Sequence, residues 1–429
     1  MPSRSETKEA LLVAEGSSST EISDEQMRDL VGQLLREIGP LSRVLLVPPD
    51  YTRIDSGAGP ITVELYRQLA GSAFVSVLPA LGTHDPLPAR QRTKMFPGIP
   101  AEAFYEHRWR EDLVRLGEVD ADFVEQVSGG AVCYDVPIEV NRMLVEGEWD
   151  RIISIGQLVP HEVIGVANHV KNILIGVGGK ETIHKSHYLG AVYGMERIMG
   201  QADSPVRAVL QEGMNRFGQD LPITYVLTVR GFRSHDKLVT RGFYAGDGVL
   251  PFRAGVGLCQ ECNITRVPSG IRKAVVWLDG EKYHSTWLGN KAIYRTRMAL
   301  ADDAELIILA PGVRTFGEDE QIDHLIRAFG YRGTKATVDA VERGTELADN
   351  LAAAAHLIHG SSEGRFRITY APGGLSRDEI EGVGFGYLDL NQALSRYSPD
   401  RLQEGINVLE EEEIFFIRHP GQGLWNRST

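Results

Sequence analysis

The sequence predicts an α/β protein with two α/β domains built from βαβ units and an active site in the cleft between them. Apolar runs of strand length alternate with longer helical patterns, which is how repeated βαβ units read in a sequence. A chain of 429 residues is too long for one ordinary core, so two domains are expected. Polar clusters follow several predicted strands, and open α/β sheets bind ligands beyond the carboxyl ends of their strands.

We expect four segments along the chain. Residues 1–22 are polar and rich in Ser, Glu and Thr, which predicts a disordered tail. Residues 23–268 form the larger α/β domain and residues 269–400 a smaller one. Residues 401–429 form a terminal segment, and the sequence leaves open whether it returns to the first domain.

The first domain opens with a helix and continues with buried strands. Ser23 and Gln26 have the spacing of a capping box. The clearest early strands are 43–47, 74–78 and 151–155. The polar clusters that follow these strands are 50–53, 82–86 and 157–161.

The second domain again reads as strand, helix, strand. Residues 274–278 and 305–310 are apolar runs, and 290–301 is a helical stretch between them. Four glutamates at 410–413 precede an apolar run at 414–417, which predicts an acidic turn that leads into a strand.

Composition excludes several classes of protein. The 45 basic and 58 acidic residues give a net charge of −13, which disfavours nucleic acid and membrane partners. No apolar stretch has the length of a signal sequence or of a membrane span, so a cytoplasmic protein is expected. Three cysteines do not make a disulfide scaffold, and the single C-x-x-C pair, Cys259 and Cys262, supplies half of a structural zinc site at most.

The segment 161–187 carries most of the chemistry in this chain. His161, Lys171 and His187 lie in a mostly apolar, glycine-bearing stretch, and His84 follows an earlier strand. Each histidine could bind a metal, transfer protons or serve loop hydrogen bonds. Lys171 has apolar neighbours in sequence, and a lysine in apolar surroundings loses its charge and becomes nucleophilic.

Residues 176–180, Gly-Val-Gly-Gly-Lys, fail the nucleotide-triphosphate loop pattern. Leu174 occupies the position of the first glycine, and Glu181 stands where a magnesium-binding Ser or Thr belongs. A glycine-lined approach to a phosphorylated ligand stays open.

These residues together resemble the nickel-dependent lactate racemase superfamily, whose members racemise or epimerise 2-hydroxy acids with a nickel-pincer nucleotide. The family places one histidine ten residues before a lysine and another sixteen residues after it, as His161, Lys171 and His187 do. Its Asp-x-Thr-Arg turn matches residues 50–53, and its Gly-Thr-His-x-Pro turn matches residues 82–86.

The resemblance implies a role for each matched residue, and it puts the cofactor and the catalytic groups in the first domain. Lys171 would carry the cofactor, pyridinium-3-thioamide-5-thiocarboxylic acid mononucleotide, as a thioamide. His187 would be the protein ligand to nickel. His84 and His161 would be the acid and base of a racemase or epimerase that inverts C2 through hydride transfer to and from the cofactor.

The other matched residues would contact the ligands. Arg53 would bind the substrate carboxylate, with an ion pair to Asp50 as the alternative. Asp50 and Thr52 would bind the cofactor's ribose or phosphate. The enzymes that make the cofactor would be partners of the protein.

Two departures from the family pattern fall where substrate choice is decided. The usual Ser-Gly-Gly is Ala167-Asn168-His169 here, and His169 reads equally as a substrate contact or a surface group. The usual Tyr-Gln-x-x-Lys aligns with residues 294–298, where the lysine is lost and Arg295 or Arg297 would supply the charge. Two arginines fit a larger or more acidic hydroxy acid, or a sugar acid, better than lactate.

Two other functions stay open at this stage. A mononuclear zinc hydrolase would use His84, His161 and His187 as a three-histidine site that activates water, although it would leave Lys171 unexplained. A non-catalytic homologue would bind the cofactor or a hydroxy acid as a sensor or carrier.

Overall fold

The structure is a computed structural model that describes residues 9–234 and 237–428. The chain divides into two compact units. The first unit comprises Met1–Ser186 and Gly200–Asn263, and the second comprises His187–Met199 and Ile264–Thr429. The boundary at residue 186 falls inside a helix, so one helix contributes residues to both units.

The strands up to residue 247 belong to the first unit. They are β1 Ala10–Gly16, β2 Arg43–Val47, β3 Phe74–Val77, β4 Leu113–Val119, β5 Val136–Asn141, β6 Arg151–Leu158, β7 Pro160–His161, β8 Gly165–Val166, β9 Ile223–Ser234 and β10 Lys237–Asp247.

Ten helices lie between residue 24 and residue 263 in the described part of the chain. They are α1 Asp24–Ile38, α2 Ala58–Leu69, α3 Ala89–Met95, α4 Ala121–Ser128, α5 Arg142–Glu146, α6 Val170–Leu174, α7 Lys180–Tyr193, α8 Met195–Ile198, α9 Pro205–Phe217 and α10 Leu250–Asn263. Short 3-10 turns span Tyr51–Ser56 and Ala101–Ala103.

The first unit is built on a six-stranded sheet with the order β1-β10-β9-β6-β2-β3. Strands β9, β6, β2 and β3 pair in parallel, and β10 and β1 add an antiparallel edge. The central parallel strand β2 is apolar on both faces, because its consecutive residues Val44, Leu45 and Leu46 are all fully buried. The predicted strands at 43–47, 74–78 and 151–155 are confirmed as β2, β3 and β6, and the predicted capping box of α1 is present.

Residues 10–16 depart from the predicted polar tail. They form edge strand β1, which pairs with β10, and Val13 is buried in the core. Only one side chain of this strand is deeply buried, so its sequence pattern carries little apolar signal. Residues 1–8 of the expected tail lie outside the described residues.

The second unit has its own strands and helices. The strands are β11 Ile264–Val267, β12 Ile271–Trp277, β13 Leu300–Ala310, β14 Phe366–Pro372, β15 Gly386–Tyr387, β16 Gly405–Leu409, β17 Glu412–Ile417 and β18 Leu424–Arg427. The helices are α11 Thr286–Gly289, α12 Lys291–Thr296, α13 Glu320–Phe329, α14 Thr334–Glu342, α15 Leu351–His359, α16 Arg377–Gly382 and α17 Leu390–Arg396, with a 3-10 turn at Glu346–Asp349.

The second sheet has the order β15-β14-β13-β12-β17-β16 and is parallel except for the β16–β17 pair. The terminal segment therefore belongs to this unit: β17 pairs with β12, and β18 pairs with β11. The acidic run forms a turn at Glu410 and Glu411, both with positive φ, before β17 begins. Helix α12 is shorter than the predicted stretch 290–301 because β13 already begins at Leu300.

Within the described ranges, no helix is both long and apolar enough to cross a membrane. None of the three cysteines forms a disulfide bond, and Cys259 is buried in helix α10.

We expect Leu46→Ala to lower the free energy of unfolding of the first unit by about 3 kcal/mol, because it leaves a cavity between two fully packed layers. Leu11→Ala on edge strand β1 is the control, since that side chain is 43% exposed. Denaturant unfolding followed by circular dichroism measures both. Equal effects would show that β2 does not lie at the centre of this core.

Candidate active site

The ends of three neighbouring parallel strands position the candidate site. Strands β6, β2 and β3 lie side by side and point the same way, so the turns that follow them emerge at one edge of the sheet. The pairing of β2 with β3 continues past the strands, because Ala80 N–H donates to the Pro48 carbonyl at 2.7 Å. The Asp50 turn and the Gly82 turn are thereby held next to each other.

Asp50 and His84 form a hydrogen bond across these two turns, in which His84 Nδ1 donates to Asp50 Oδ2. Thr52 donates to the other carboxylate oxygen of Asp50, from its hydroxyl at 2.6 Å and its backbone N–H at 3.1 Å. Burial alone would raise the pKa of Asp50, but the His84 ring and these hydrogen bonds outweigh it and keep the pKa below its usual range. The carboxylate therefore fixes the orientation of the His84 ring and favours a proton on Nδ1.

His161 is held differently from His84. It is 4% exposed, and its Nδ1 accepts the Val163 backbone N–H at 3.1 Å. The Glu162 carboxylate lies 3.7 Å from the same nitrogen. A ring nitrogen that accepts an N–H carries no proton, so neutral His161 has its proton on Nε2.

Lys171 lies on helix α6, which is anchored to the sheet. The Asn172 side chain donates to the Val47 carbonyl and to the Ser154 hydroxyl, both at 3.0 Å, and so ties α6 to β2 and β6. Burial first, and then the positive charge of Arg53, lower the pKa of Lys171 to about 8, although Glu162 and Asp50 act in the opposite direction. The lowered pKa raises the uncharged fraction of the amine near neutral pH above that of a lysine in water.

The link before α6 adopts a rare backbone conformation. Asn168 and His169 have φ angles of +67° and +61°, in the region that favours glycine. The His169 ring is 1% exposed, stacks against Tyr225 and Phe252, and donates from Nε2 to the Gly248 carbonyl at 2.8 Å. His169 is thus a buried group and not a surface one. Burial lowers its pKa to about 3.

The glycine-rich loop after α6 is closed by the protein itself. A Cβ at Gly176 or Gly178 would collide with carbonyl oxygens of α6, and one at Gly179 would collide with the Glu139 carboxylate. The glycines are therefore required for close packing, and a carboxylate occupies the place where a phosphate would need positive charge. The loop also meets the Gly82 turn, because Gly82 N–H donates to the Gly176 carbonyl at 2.8 Å.

His107 braces the same loop from the other side. Its Nε2 donates to the Gly178 carbonyl at 3.0 Å, and its Nδ1 accepts from the Asn141 side chain at 3.0 Å. Burial lowers the pKa of His107 to about 4.

The remaining predicted site residues fall in the second unit. His187 lies on the second half of α7 and is partly buried. Arg295 is 1% exposed on α12. Arg297 donates to Glu196 at 2.9 Å and to the carbonyls of His359 and Ser361, which favours a structural role over the predicted substrate contact.

No three His, Cys, Asp or Glu side chains in the described part of the chain form a group that could hold a metal ion. His84 donates its Nδ1 hydrogen to Asp50, so this nitrogen is not available to a metal ion.

Comparison with known proteins finds a similar family over part of the chain. Residues 13–198, which contain β1 through α8 and every predicted residue of the first unit, match the lactate racemase N-terminal domain. Over this segment the chain is similar to the lactate racemases. No curated protein matches the sequence.

Two solved structures share the fold of this chain. A crystal structure of a Thermotoga maritima protein matches with a TM-score of 0.83 at 23% identity, over 95% of this chain and 98% of the other. The lactate racemase apoprotein from Thermoanaerobacterium thermosaccharolyticum matches with a TM-score of 0.67 at 15% identity, over 95% of this chain and 94% of the other. At these identities the likeness concerns the fold alone.

Sequence reasoning missed three groups around the site of this chain: His107, Glu162 and Arg207. Glu162 and Arg207 both act on the charge of Lys171. Glu162 stood next to a predicted histidine and could have been noticed. His107 and Arg207 carry no local signal, because a single polar residue in an otherwise unremarkable stretch reads as surface.

We expect the unfolding free energy to fall as the pH is lowered from about 6.5 towards 4. The unfolded chain binds a proton at the imidazole of residue 107 in this range, whereas the folded chain does not until about pH 4, so protonation favours unfolding. His107→Gln keeps a donor for Gly178 and should remove about 3 kcal/mol of this pH dependence. His324→Gln, on an exposed histidine, is the control. Denaturant titrations at several pH values measure the unfolding free energy. If the unfolding free energy of His107→Gln depends on pH as steeply as that of the unaltered protein, His107 is not the source of this pH dependence.

Proposed function

We propose that the protein is an isomerase that inverts C2 of a 2-hydroxy acid, as a racemase or epimerase, with a nickel-pincer nucleotide attached to Lys171. The observation that carries the proposal is the joint placement of a low-pKa lysine and an oriented histidine at one edge of a parallel sheet. Lys171 lies within electrostatic reach of Asp50, and Asp50 is paired with His84.

The residues present fit the cofactor that the family uses. A thioamide forms from an uncharged amine, and the pKa of Lys171 at about 8 makes that form available. Arg53 and Arg207 add positive charge around the amine, which suits a ligand that carries a phosphate. His187 would supply an imidazole to nickel. When bound, the group supplies a pyridinium ring that can accept and return hydrogen as hydride.

His84 is the group best prepared to act as a base. Its Nδ1 is committed to Asp50, which leaves Nε2 with a lone pair to accept the proton of the substrate's 2-hydroxyl. The resulting imidazolium would be stabilised by the buried carboxylate. Asp50 is therefore assigned to His84 in addition to, or in place of, the cofactor's ribose.

His161 would act as the acid that donates a proton to the oxygen of the same hydroxyl group. Its neutral form carries the proton on Nε2, because Val163 N–H occupies Nδ1. It can accept a second proton only if that backbone hydrogen bond is given up, and Glu162 is close enough to stabilise the charge. The two histidines thus start in opposite protonation patterns, as an inverting acid–base pair requires.

Substrate recognition would rest on arginines. Arg53 follows Asp50 in the same turn and is partly exposed, so its guanidinium can bind a carboxylate. Arg295 and Arg297 stand where the family has glutamine and the residue before lysine, and either guanidinium would supply the positive charge of the lost lysine. A larger or more acidic hydroxy acid than lactate, or a sugar acid, fits this change. The cofactor-making enzymes would be the protein's functional partners in the cytoplasm.

Production of the protein together with cofactor-making enzymes tests the attachment. We expect an intact-mass increment of nucleotide size that peptide mapping places on Lys171, and Lys171→Ala should lose both the increment and activity by about 10³-fold or more. Lys180→Ala, on an exposed lysine nine positions further along the chain, should change neither. Active protein that lacks the increment would overturn the proposal, and a loaded protein with no turnover on a panel of hydroxy acids would favour the non-catalytic alternative.

Variants of the histidines separate proton transfer from metal binding. His84→Gln and His161→Gln should each lower kcat by about 10²- to 10⁴-fold while nickel stays bound. His187→Ala should instead lose the metal, which elemental analysis detects. Asp50→Asn should lower kcat by about 10²-fold through the orientation of His84, with KM little changed. Full activity in either His84→Gln or His161→Gln would remove that residue from the mechanism.

A further inference from the structure

Arg207 is a buried cation whose donors are mostly unused. The residue lies in the first turn of helix α9 and is 5% exposed. Its Nη2 donates to the Val166 carbonyl. Its Nε and Nη1 have no acceptor among the residues that the structure describes. Buried N–H donors almost always have a hydrogen-bond acceptor in folded proteins. Two donors without an acceptor on one guanidinium therefore indicate that an acceptor binds there.

The charge of Arg207 is also uncompensated. Asp203 is the acidic group that most favours the charged guanidinium, but both of its carboxylate oxygens are bound by Arg253, at 2.8 and 3.2 Å. The guanidinium carbon lies 3.8 Å from the centre of the Phe252 ring, and burial lowers the pKa of Arg207 to about 9. A buried charge without a counter-ion destabilises the folded state, so a buried arginine of this kind suggests a bound anion.

His169 repeats this pattern on the same aromatic ring. It also packs against Phe252, and its Nδ1 has no partner in the described ranges. Because its Nε2 donates to Gly248 and its pKa is about 3, the ring stays neutral and adds no charge. Arg207 is thus the positive centre of this pair.

Arg207 also acts on the lysine of the proposed site. Helix α9 packs against α6, and the Arg207 charge contributes to the lowered pKa of Lys171. An anion beside Arg207 would therefore lie within electrostatic reach of the Lys171 amine.

We propose that Arg207 binds an anionic oxygen, from a carboxylate or a phosphate, of the ligand that this site holds at Lys171. A buried water molecule could complete the hydrogen bonds but would leave the charge uncompensated, whereas an anion satisfies both. The identity of the ligand rests on the proposed function, since a 2-hydroxy acid offers a carboxylate and the mononucleotide offers a phosphate.

Anion binding to the cofactor-free protein tests this assignment without any turnover. Orthophosphate and lactate are titrated separately at constant ionic strength, with chloride as the balancing ion. Two measurements follow binding: the unfolding temperature and the rate at which Lys171 is acetylated by acetic anhydride, read by peptide mass spectrometry. A bound anion favours the protonated amine, so acetylation should slow in a saturable way with at least one of the two probes.

Three variants attribute that response to Arg207. Arg207→Met should weaken binding of the responding anion by about tenfold or more, because a charge-assisted hydrogen bond is lost. Arg207→Lys keeps the charge and should retain part of the affinity. Arg216→Met is the matched control, since that arginine lies on the same helix, is 42% exposed and is paired with Asp120, and its effect should stay within about twofold.

The outcomes separate the sources of the anion and the two proposals. A response to phosphate alone assigns the site to the cofactor's phosphate, and a response to lactate alone assigns it to the substrate carboxylate. If neither anion protects Lys171 in the unaltered protein, or if Arg207→Met and Arg207→Lys bind as the unaltered protein does, a structural water is the partner and the proposal is wrong. If Arg207→Met fails to fold, anion binding to the unaltered protein and to Arg207→Lys still tests the proposal. Failure to find hydroxy-acid turnover would count against the proposed function and leave the anion result standing.

Discussion

The shared edge of three parallel strands is the constraint on which the site depends. Strands β6, β2 and β3 run parallel, so their carboxyl ends lie at the same edge of the sheet. The turns that follow these strands therefore lie close together at that edge. The polar residues in those turns are spread over more than a hundred positions of sequence, yet the side chains of Asp50 and His84 form a direct hydrogen bond. Anchoring of α6 to β2 and β6 through Asn172 brings the lysine to the same edge.

Positive charge concentrates at this edge and explains its reactivity. Arg53 and Arg207 both lower the pKa of Lys171, while the buried acid Asp50 is already bonded to His84 and Thr52. An amine in such surroundings loses its proton more easily than one in water. The same arrangement that makes the lysine nucleophilic leaves a surplus of positive charge, and that surplus suits an anionic ligand.

The backbone is strained at Asn168 and His169, at the positions where the family pattern has glycines. Asn168 and His169 have positive φ angles, which glycine adopts without steric cost, and both side chains make contacts that a glycine could not make. The Asn168 amide lies against Gly156 of β6, where any Cβ would collide with it, and the His169 ring fills the space between Tyr225 and Phe252. Strain of this kind persists only where the surrounding packing holds it in place.

Most of the first sheet and the candidate residues could be predicted from local patterns. The apolar runs that became β2, β3 and β6 are short, uninterrupted and followed by turn residues, and the spacing of His161, Lys171 and His187 identified a family that the match over residues 13–198 supports. Strand β1 and the helix before β13 were harder, because an edge strand buries one side chain and a helix end depends on where its neighbouring strand begins.

The sequence by itself determined which elements form and which residues are available for chemistry, since hydrophobic periodicity and turn residues are local properties. The tertiary structure alone decided what each residue does with its neighbours. It paired Asp50 with His84, placed the proton of His161 on Nε2, closed the glycine loop against Glu139 and left Arg207 buried without an acid. These outcomes depend on contacts between distant parts of the chain, and burial and charge at such contacts are not encoded in any one segment.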